Sequence, residues 1–251
     1  MIKAILYDVG GVLYTSYNDD ALRLDFAKRL LLKLRELGMD LNVTAEVLDN
    51  SLTVHAREYK TYAEDTMREL PSIRIWKDYF LRDFDVDEEK LLQHAEELSF
   101  YYDSARVRMT PRSHLKGTLH TLHEMGIRQA IANNIMSTTF VPYFSKKNDI
   151  SPYFQFILMS SQIGIRKPDS RIFHMAAEKL GVLPGECAYV GDTISRDVRG
   201  VRNADLAMMI KIDNPAVAYK DAAFIGKGFD PDYEIKDLSE IPGIIRSFNG
   251  R

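Results

Sequence analysis

Cysteine is nearly absent from this chain: Cys187 is the single thiol in 251 residues. One thiol excludes an internal disulfide framework and fits a reducing compartment. Its place in the apolar run CAYVG marks it as a buried structural thiol rather than a nucleophile. An excess of charge of either sign is missing too. Lys and Arg number 33 against 36 Asp and Glu, a net charge of −3. That excludes a basic field for nucleic acid or for an anionic membrane. No apolar run has the length of a membrane span. The opening MIKAILYDVGG lacks the longer apolar segment and cleavage pattern of a secretory signal. The expected location is therefore the cytoplasm. The six histidines have no paired ligand spacing, which argues against zinc. There is no repeat and no low-complexity segment.

What is present is an alternation of short apolar runs and helical patterns. Ile2 to Tyr7 reads as a first strand ending at Asp8. From about Asp20 to Ser104 the apolar residues recur at helical spacing, as in Leu22, Phe26, Leu30 and Leu34. Thr44 and Asp87 are helix starts, and Pro71 separates the middle helices. After Pro111 a helix over His114 to Met125 stops at Gly126, and another over Ser170 to Leu180 stops at Gly181. Strands fit Arg128 to Ala132, Gln155 to Met159, Ala188 to Val190 and Leu206 to Ile210, and YEIKDLSEIPGII adds a last strand and helix. This pattern predicts an α/β fold with a doubly wound, parallel-sheet (Rossmann-like) core. The core is expected over residues 1–15 and 106–251, with an all-helical, four-helix cap inserted at 16–105.

Four islands carry the chemistry: DVGGVLY at Asp8–Tyr14, ANN at Ala132–Asn134, RKPD at Arg166–Asp169 and GDTISRD at Gly191–Asp197. Each stands at or beyond the end of a strand-like run, or in a loop leading to a helix. Strand carboxyl ends are where distant segments of an open α/β sheet converge on a ligand. Asp8, Lys167, Asp192 and Asp197 then form one site, with a nucleophile, a cation and metal-binding carboxylates. That set suits phosphoryl transfer with a divalent metal.

In order and spacing, IGIRKPDSRIF followed by VGDTISRDVRGV resembles the third and fourth motifs of the haloacid dehalogenase superfamily. DVGG resembles the first motif, and the helical insert after it resembles the family's type 1 cap. The resemblance implies Asp8 as nucleophile and Lys167 as the neutralising cation. It implies Mg²⁺ held by Asp8, Asp192, Asp197 and the Gly10 backbone carbonyl. Asp192 is the expected direct ligand, with Asp197 acting through water or as a helix cap. Arg166 matches no family residue and is expected to face solvent. The family's phosphatases carry a second aspartate two residues after the nucleophile, as general acid and base. Here that residue is Gly10. The second motif normally ends in serine or threonine; Asn133, with Asn134 beside it, stands there, and an amide NH₂ donates equally well to phosphate.

The function these residues imply is a Mg²⁺-dependent phosphatase of a small phosphorylated metabolite, acting as monomer or homodimer. Three other readings stay open. A 2-haloacid dehalogenase needs no acid at position 10 and no metal, and the paired acids argue against it. A phosphonate-cleaving relative needs a cap lysine, for which Lys60 is available. An impaired member would bind a phosphometabolite or a protein without turnover. Tyr14 and Tyr17 near the entrance of the cap, and Arg57, Lys60, Tyr62, Arg74 and Trp76 within it, are candidates to read substrate.

Overall fold

The architecture was read from a computed structural model that describes residues 1–224 and 226–250. The chain opens with β1 (Ala4–Tyr7) and β2 (Tyr14–Tyr17), then α1 (Asp20–Glu36), α2 (Ala45–Thr66), α3 (Ser72–Ile75) and α4 (Glu88–Ala105). It continues through β3 (Arg108–Pro111), α5 (Leu115–Glu124), β4 (Arg128–Asn133), α6 (Phe140–Lys147), β5 (Ile157–Met159), α7 (Ser160–Ile163) and α8 (Ser170–Leu180). Last come β6 (Cys187–Gly191), α9 (Arg199–Asn203), β7 (Met208–Ile212), α10 (Ala218–Asp221), β8 (Tyr233–Ile235) and α11 (Ile241–Asn249).

Six strands form one parallel sheet in the order β5-β4-β1-β6-β7-β8. Alternate side chains of β1 divide between its faces. Ile5 and Tyr7 pack with Leu119, Phe140 and Ile245 on one face, while Ala4 and Leu6 pack with Ile172, Phe173 and Val201 on the other. Helices therefore cover both faces, as a two-sided apolar strand requires. Each fully buried Leu, Ile or Phe contributes roughly 1.5–3 kcal/mol, and this core fixes the strand ends from which the site loops spring.

Helix termini follow the chemistry read from the sequence. Asp169 caps α8 by accepting from Arg171 N, and Gly181 ends it at a φ of 67°. Thr44 and Asp87 cap α2 and α4. The pair β2–β3 is the element that the helical pattern conceals. It is antiparallel, and the chain leaves the sheet along one strand and returns along the other. The four helices between them surround a separate apolar cluster that includes Phe26, Leu48, Trp76 and Leu98.

Two polar clamps tie these helices to the sheet loops. Glu96 accepts from Ser137 Oγ at 2.7 Å, Thr138 N at 2.9 Å and Thr139 N at 3.2 Å. Asp103, seven residues along α4, accepts from Ser137 N at 2.9 Å. At the second clamp, Arg68 bridges antiparallel to Ile165. Beside it the buried Glu69 carboxylate accepts from Tyr59, Ser160 and Arg166. This corrects the solvent-facing expectation for Arg166: its side chain is 12% exposed and pairs with a fully buried acid. The sequence hides that pairing because the partner lies 97 positions away.

Candidate active site

The sheet order places β1 between β4 and β6, so Asp8, Asn133 and Asp192 emerge side by side from three neighbouring strand ends. Lys167 arrives from the loop between α7 and α8. All four are buried. Lys167 Nζ lies 2.9 Å from Asp8 Oδ1 and 2.8 Å from Asp197 Oδ1, and donates to the Tyr189 hydroxyl at 2.5 Å. The candidate nucleophile, cation and acids thus come together as expected.

Close approach here depends on glycine. Gly11 has φ = 81°, and a Cβ on it would stand 2.0 Å from Asp192 Oδ2. A Cβ on Gly191 would stand 2.5 Å from the Asp197 Cβ. Position 10 is different, because its nearest neighbour would be the Tyr14 hydroxyl at 3.5 Å, an ordinary contact. Arg112 ties two site loops by donating to Gly11 O at 2.8 Å and Asp213 O at 2.7 Å.

The two second-motif asparagines are used differently. Asn134 spans the Lys167 backbone, accepting from Lys167 N at 2.8 Å and donating to Lys167 O at 3.0 Å. Both of its amide atoms are engaged. Asn133 lines the cavity over Asp8, and its amide has no hydrogen-bond partner among the described residues.

The three aspartates also differ. Asp197 Oδ2 accepts from Asp192 N at 3.2 Å, Thr193 N at 3.0 Å and Thr193 Oγ1 at 2.7 Å, while Oδ1 takes Lys167 and Tyr189. Burial alone would raise its pKa, but Lys167, Arg196 and these donors hold it down at about 2. Asp192 Oδ2 accepts from Asn214 Nδ2 at 2.7 Å. Its Oδ1 is buried without a partner. Burial, then Asp197 and Asp8, pushes the Asp192 pKa up to about 6. Asp8 is also raised, by burial first, against the opposing pull of Lys167. Three clustered acids thus face two cations, Lys167 and Arg196, and their mutual repulsion adds to burial in raising Asp8 and Asp192.

One oxygen from each aspartate lies within 4.8 Å of the others. Hard oxygen donors, mutual repulsion among the acids and an orphaned Asp192 oxygen together fit a small divalent cation.

Above the site is a cavity of about 550 Å³ between the sheet loops and α1, α2 and α4. Of the candidates for reading substrate, Tyr14, Arg57 and Lys60 line it, beside Asp8, Gly10, Asn133, Asn134 and Arg166. Trp76 is buried instead against Ser99, Arg74 pairs with Asp78 on the surface, and exposed Tyr17 bonds Asp19. Tyr62 stacks on Tyr59. Burial pushes the Cys187 thiol up to about 12, as suits an inert core group. Sequence reasoning passed over Tyr189, Arg196, Asn214 and Asp103. Asn214 follows β7, so its strand-end position was a usable signal. Asp103 carries no local signal, since only the fold brings it to the cavity.

Comparison with known proteins agrees with this geometry. Residues 2–205 match the sequence model of the haloacid dehalogenase-like hydrolases. A glyceraldehyde 3-phosphate phosphatase of Methanopyrus kandleri is 29% identical, with 98% of each chain covered. A 2-haloacid dehalogenase from Pseudomonas syringae shares the fold with a TM-score of 0.67 at 23% identity, over 99% of this chain and 100% of its own. A phosphatase from Thermococcus onnurineus does so at 0.57 and 24% identity, over 97% of this chain and 98% of its own. The buried Asp8–Lys167 pair at the end of the central strand, and the matched length on either side of it, make this chain a member of the haloacid dehalogenase-like hydrolase family.

Proposed function

We propose that this hydrolase is a Mg²⁺-dependent phosphatase of a small phosphorylated metabolite, working through an aspartyl-phosphate on Asp8. The observation that carries this is the buried Asp8–Asp192–Asp197 cluster with one ammonium against two of its members. A dehalogenase has no need of a cation, and clustered acids with an orphaned oxygen are costly without one. The relative named for glyceraldehyde 3-phosphate, matched over almost its whole length, makes a three-carbon phosphate the first compound to test. Residues 16–105 act in this reading as the cap that encloses the substrate.

In the first step an Asp8 carboxylate oxygen bonds to phosphorus, the bond to the leaving oxygen breaks, and its electron pair departs with that oxygen. In the second, water attacks phosphorus and the Asp8–phosphorus bond breaks, which returns the carboxylate and releases phosphate. Splitting the displacement in this way lowers each barrier. Lys167 offsets the repulsion between the anionic nucleophile and phosphate, about 4 kcal/mol for unit charges ~4 Å apart at a dielectric of ~20. Asn133 donates to a phosphate oxygen, for its amide is the unengaged one of the pair. Asn134 positions Lys167 through its backbone. Asp8, the Gly10 carbonyl and Asp192 would hold Mg²⁺, and Asp197 orients Lys167 and the Asp192 loop. Bound there, Mg²⁺ supplies positive charge to the phosphoryl oxygens.

The test is a phosphate-release screen over sugar, nucleotide and organic-acid phosphates, with Mg²⁺ and with chelator. Release that requires the metal is expected; no release from any class, or full release in chelator, overturns the reading. The division of labour among the acids has its own test. Asp192→Ala is expected to weaken Mg²⁺ binding by at least ~100-fold, whereas Asp197→Asn should weaken it about ten-fold. Asp197→Asn should instead lower stability by roughly 3 kcal/mol, because a buried ion pair loses one partner. Metal titration and urea unfolding of both variants check this, and a reversed order of metal affinities would show the ligands to be misassigned.

A further inference from the structure

The phosphatase reading leaves one chemical role without a residue, because Gly10 has no side chain to protonate the leaving group. We propose that Asp103 of α4 supplies this proton, handed to the leaving oxygen through the hydroxyl of Tyr14. The inference rests on the phosphatase reading and adds to it the group that completes the chemistry.

Elimination identifies the acid. Among the described residues three carboxyl groups line the cavity: Asp8, Asp49 and Asp103. Asp8 is the nucleophile. Asp49 lies 3.7 Å from Arg23 Nε. No histidine lines the cavity among the described residues. Asp103 is left, and it sits in suitable surroundings. Ser137 N, on the loop after Asn133, donates to its Oδ2 at 2.9 Å and fixes the carboxyl relative to the phosphate pocket. Among the described residues no cation lies within ion-pair distance of it, although Arg106 is one turn along the same helix. The Arg106 guanidinium is spent on the Tyr102 ring, 4.4 Å from its centroid.

Tyr14 provides the connection. Its hydroxyl is the nearest group to the empty side-chain position at residue 10, 3.5 Å from where a Cβ would stand. It has no hydrogen-bond partner among the described residues. Edge contact with Phe140 and a tilted contact with Phe144 hold the ring in place. Tyr14 lines the same cavity as Asp103 and Asp8, between the proton source and the reacting centre of this reading. The phenol need not ionise: it gives one proton to the leaving oxygen and takes one from Asp103 by way of water in the cavity that both side chains line. In the second step the Asp103 carboxylate receives, by the same route, a proton from the attacking water. Protons balance over the cycle.

The charge environment supports the role. Burial raises the Asp103 pKa to about 7, offset by the Ser137 N–H and Arg106, and reinforced by Glu69 and Glu96. A group so poised is protonated for the first step and can be recharged near neutrality.

The test is single-turnover phosphate release at saturating Mg²⁺, from 4-nitrophenyl phosphate and from glycerol 3-phosphate, whose alkoxide must be protonated as it leaves. Asp103→Asn keeps a carbonyl oxygen for Ser137 N, so the clamp survives. It is expected to slow the alkyl substrate ~100-fold and the aryl substrate no more than ~3-fold. The unmodified rate on the alkyl substrate should fall as pH rises through about 7, and the variant should lose that limb. Tyr14→Phe should show the same selectivity, and Gly10→Asp added to Asp103→Asn should restore alkyl turnover. Equal losses on both substrates, an unmoved pH limb, or an unmodified protein active on aryl phosphate alone would overturn the proposal. No release by the unmodified protein from these two compounds or from any class in the screen would instead overturn the phosphatase reading itself.

Discussion

Asp8→Asn is expected to abolish phosphate release, by at least ~10⁴-fold, without unfolding the protein. The amide has no anionic oxygen to attack phosphorus. The fold should tolerate it because the carboxylate it replaces is in an unfavourable place: burial and the neighbouring Asp197 both raise the Asp8 pKa. Lys167 keeps its contact with Asp197 at 2.8 Å and its bond to Tyr189. The thermal midpoint of the variant should therefore lie near or above that of the unmodified protein. Phosphate release and a thermal melt on one preparation check both halves. Turnover within ten-fold of the unmodified rate would sink the aspartyl-phosphate mechanism, whatever the metal dependence.

The place of Asp8 at the end of β1 was legible in the sequence because strand, acid and turn are consecutive there. The same holds for helix α8, whose cap Asp169 and terminator Gly181 bound the expected range. Parallel strands buried on both faces read as plain apolar runs, so their existence was clear. Their ends were not: β7 begins at Met208, two residues after the expected Leu206. What one sequence could not show are pairings between distant segments. The β2–β3 pair joins Thr15 to Thr110 across 95 positions, and both strands are short and largely exposed, with no apolar run to announce them. Arg166 looked like a solvated cation because its partner Glu69 lies in another element. Within the site, the sequence could name Asn133 and Asn134 together but could not divide their roles. That division follows from which amide the Lys167 backbone occupies.

Lys167→Met should be the most damaging change to stability and activity together. The lysine side chain is 1% exposed, and its ammonium lies between Asp8 and Asp197, carboxylates that are 7% and 0% exposed. Methionine keeps an apolar stem of similar length, so little packing is lost. What disappears is the charge, and two buried carboxylates are left facing each other with only Arg196 nearby. Breaking a buried pair in this way costs about 3–5 kcal/mol, and the loss of phosphate neutralisation should lower turnover by at least ~10³-fold. The pH dependence separates charge from packing. Without Lys167 the folded-state pKa values of Asp8 and Asp197 rise above the unfolded value near 3.9. The penalty is then fully present above those raised values and vanishes as pH falls below the unfolded value, where both states are protonated. In the unmodified protein the linkage for Asp197 runs the other way: held at about 2, it stabilises the fold at neutral pH and loses that contribution as pH falls from the unfolded value near 3.9 through about 2. Urea unfolding without added metal, at pH 7.5 and pH 5, should therefore show a smaller stability difference between the two proteins at the lower pH. A difference that does not change with pH would mean that Lys167 is held for its packing, and that the ion pair with Asp8 contributes nothing to the fold.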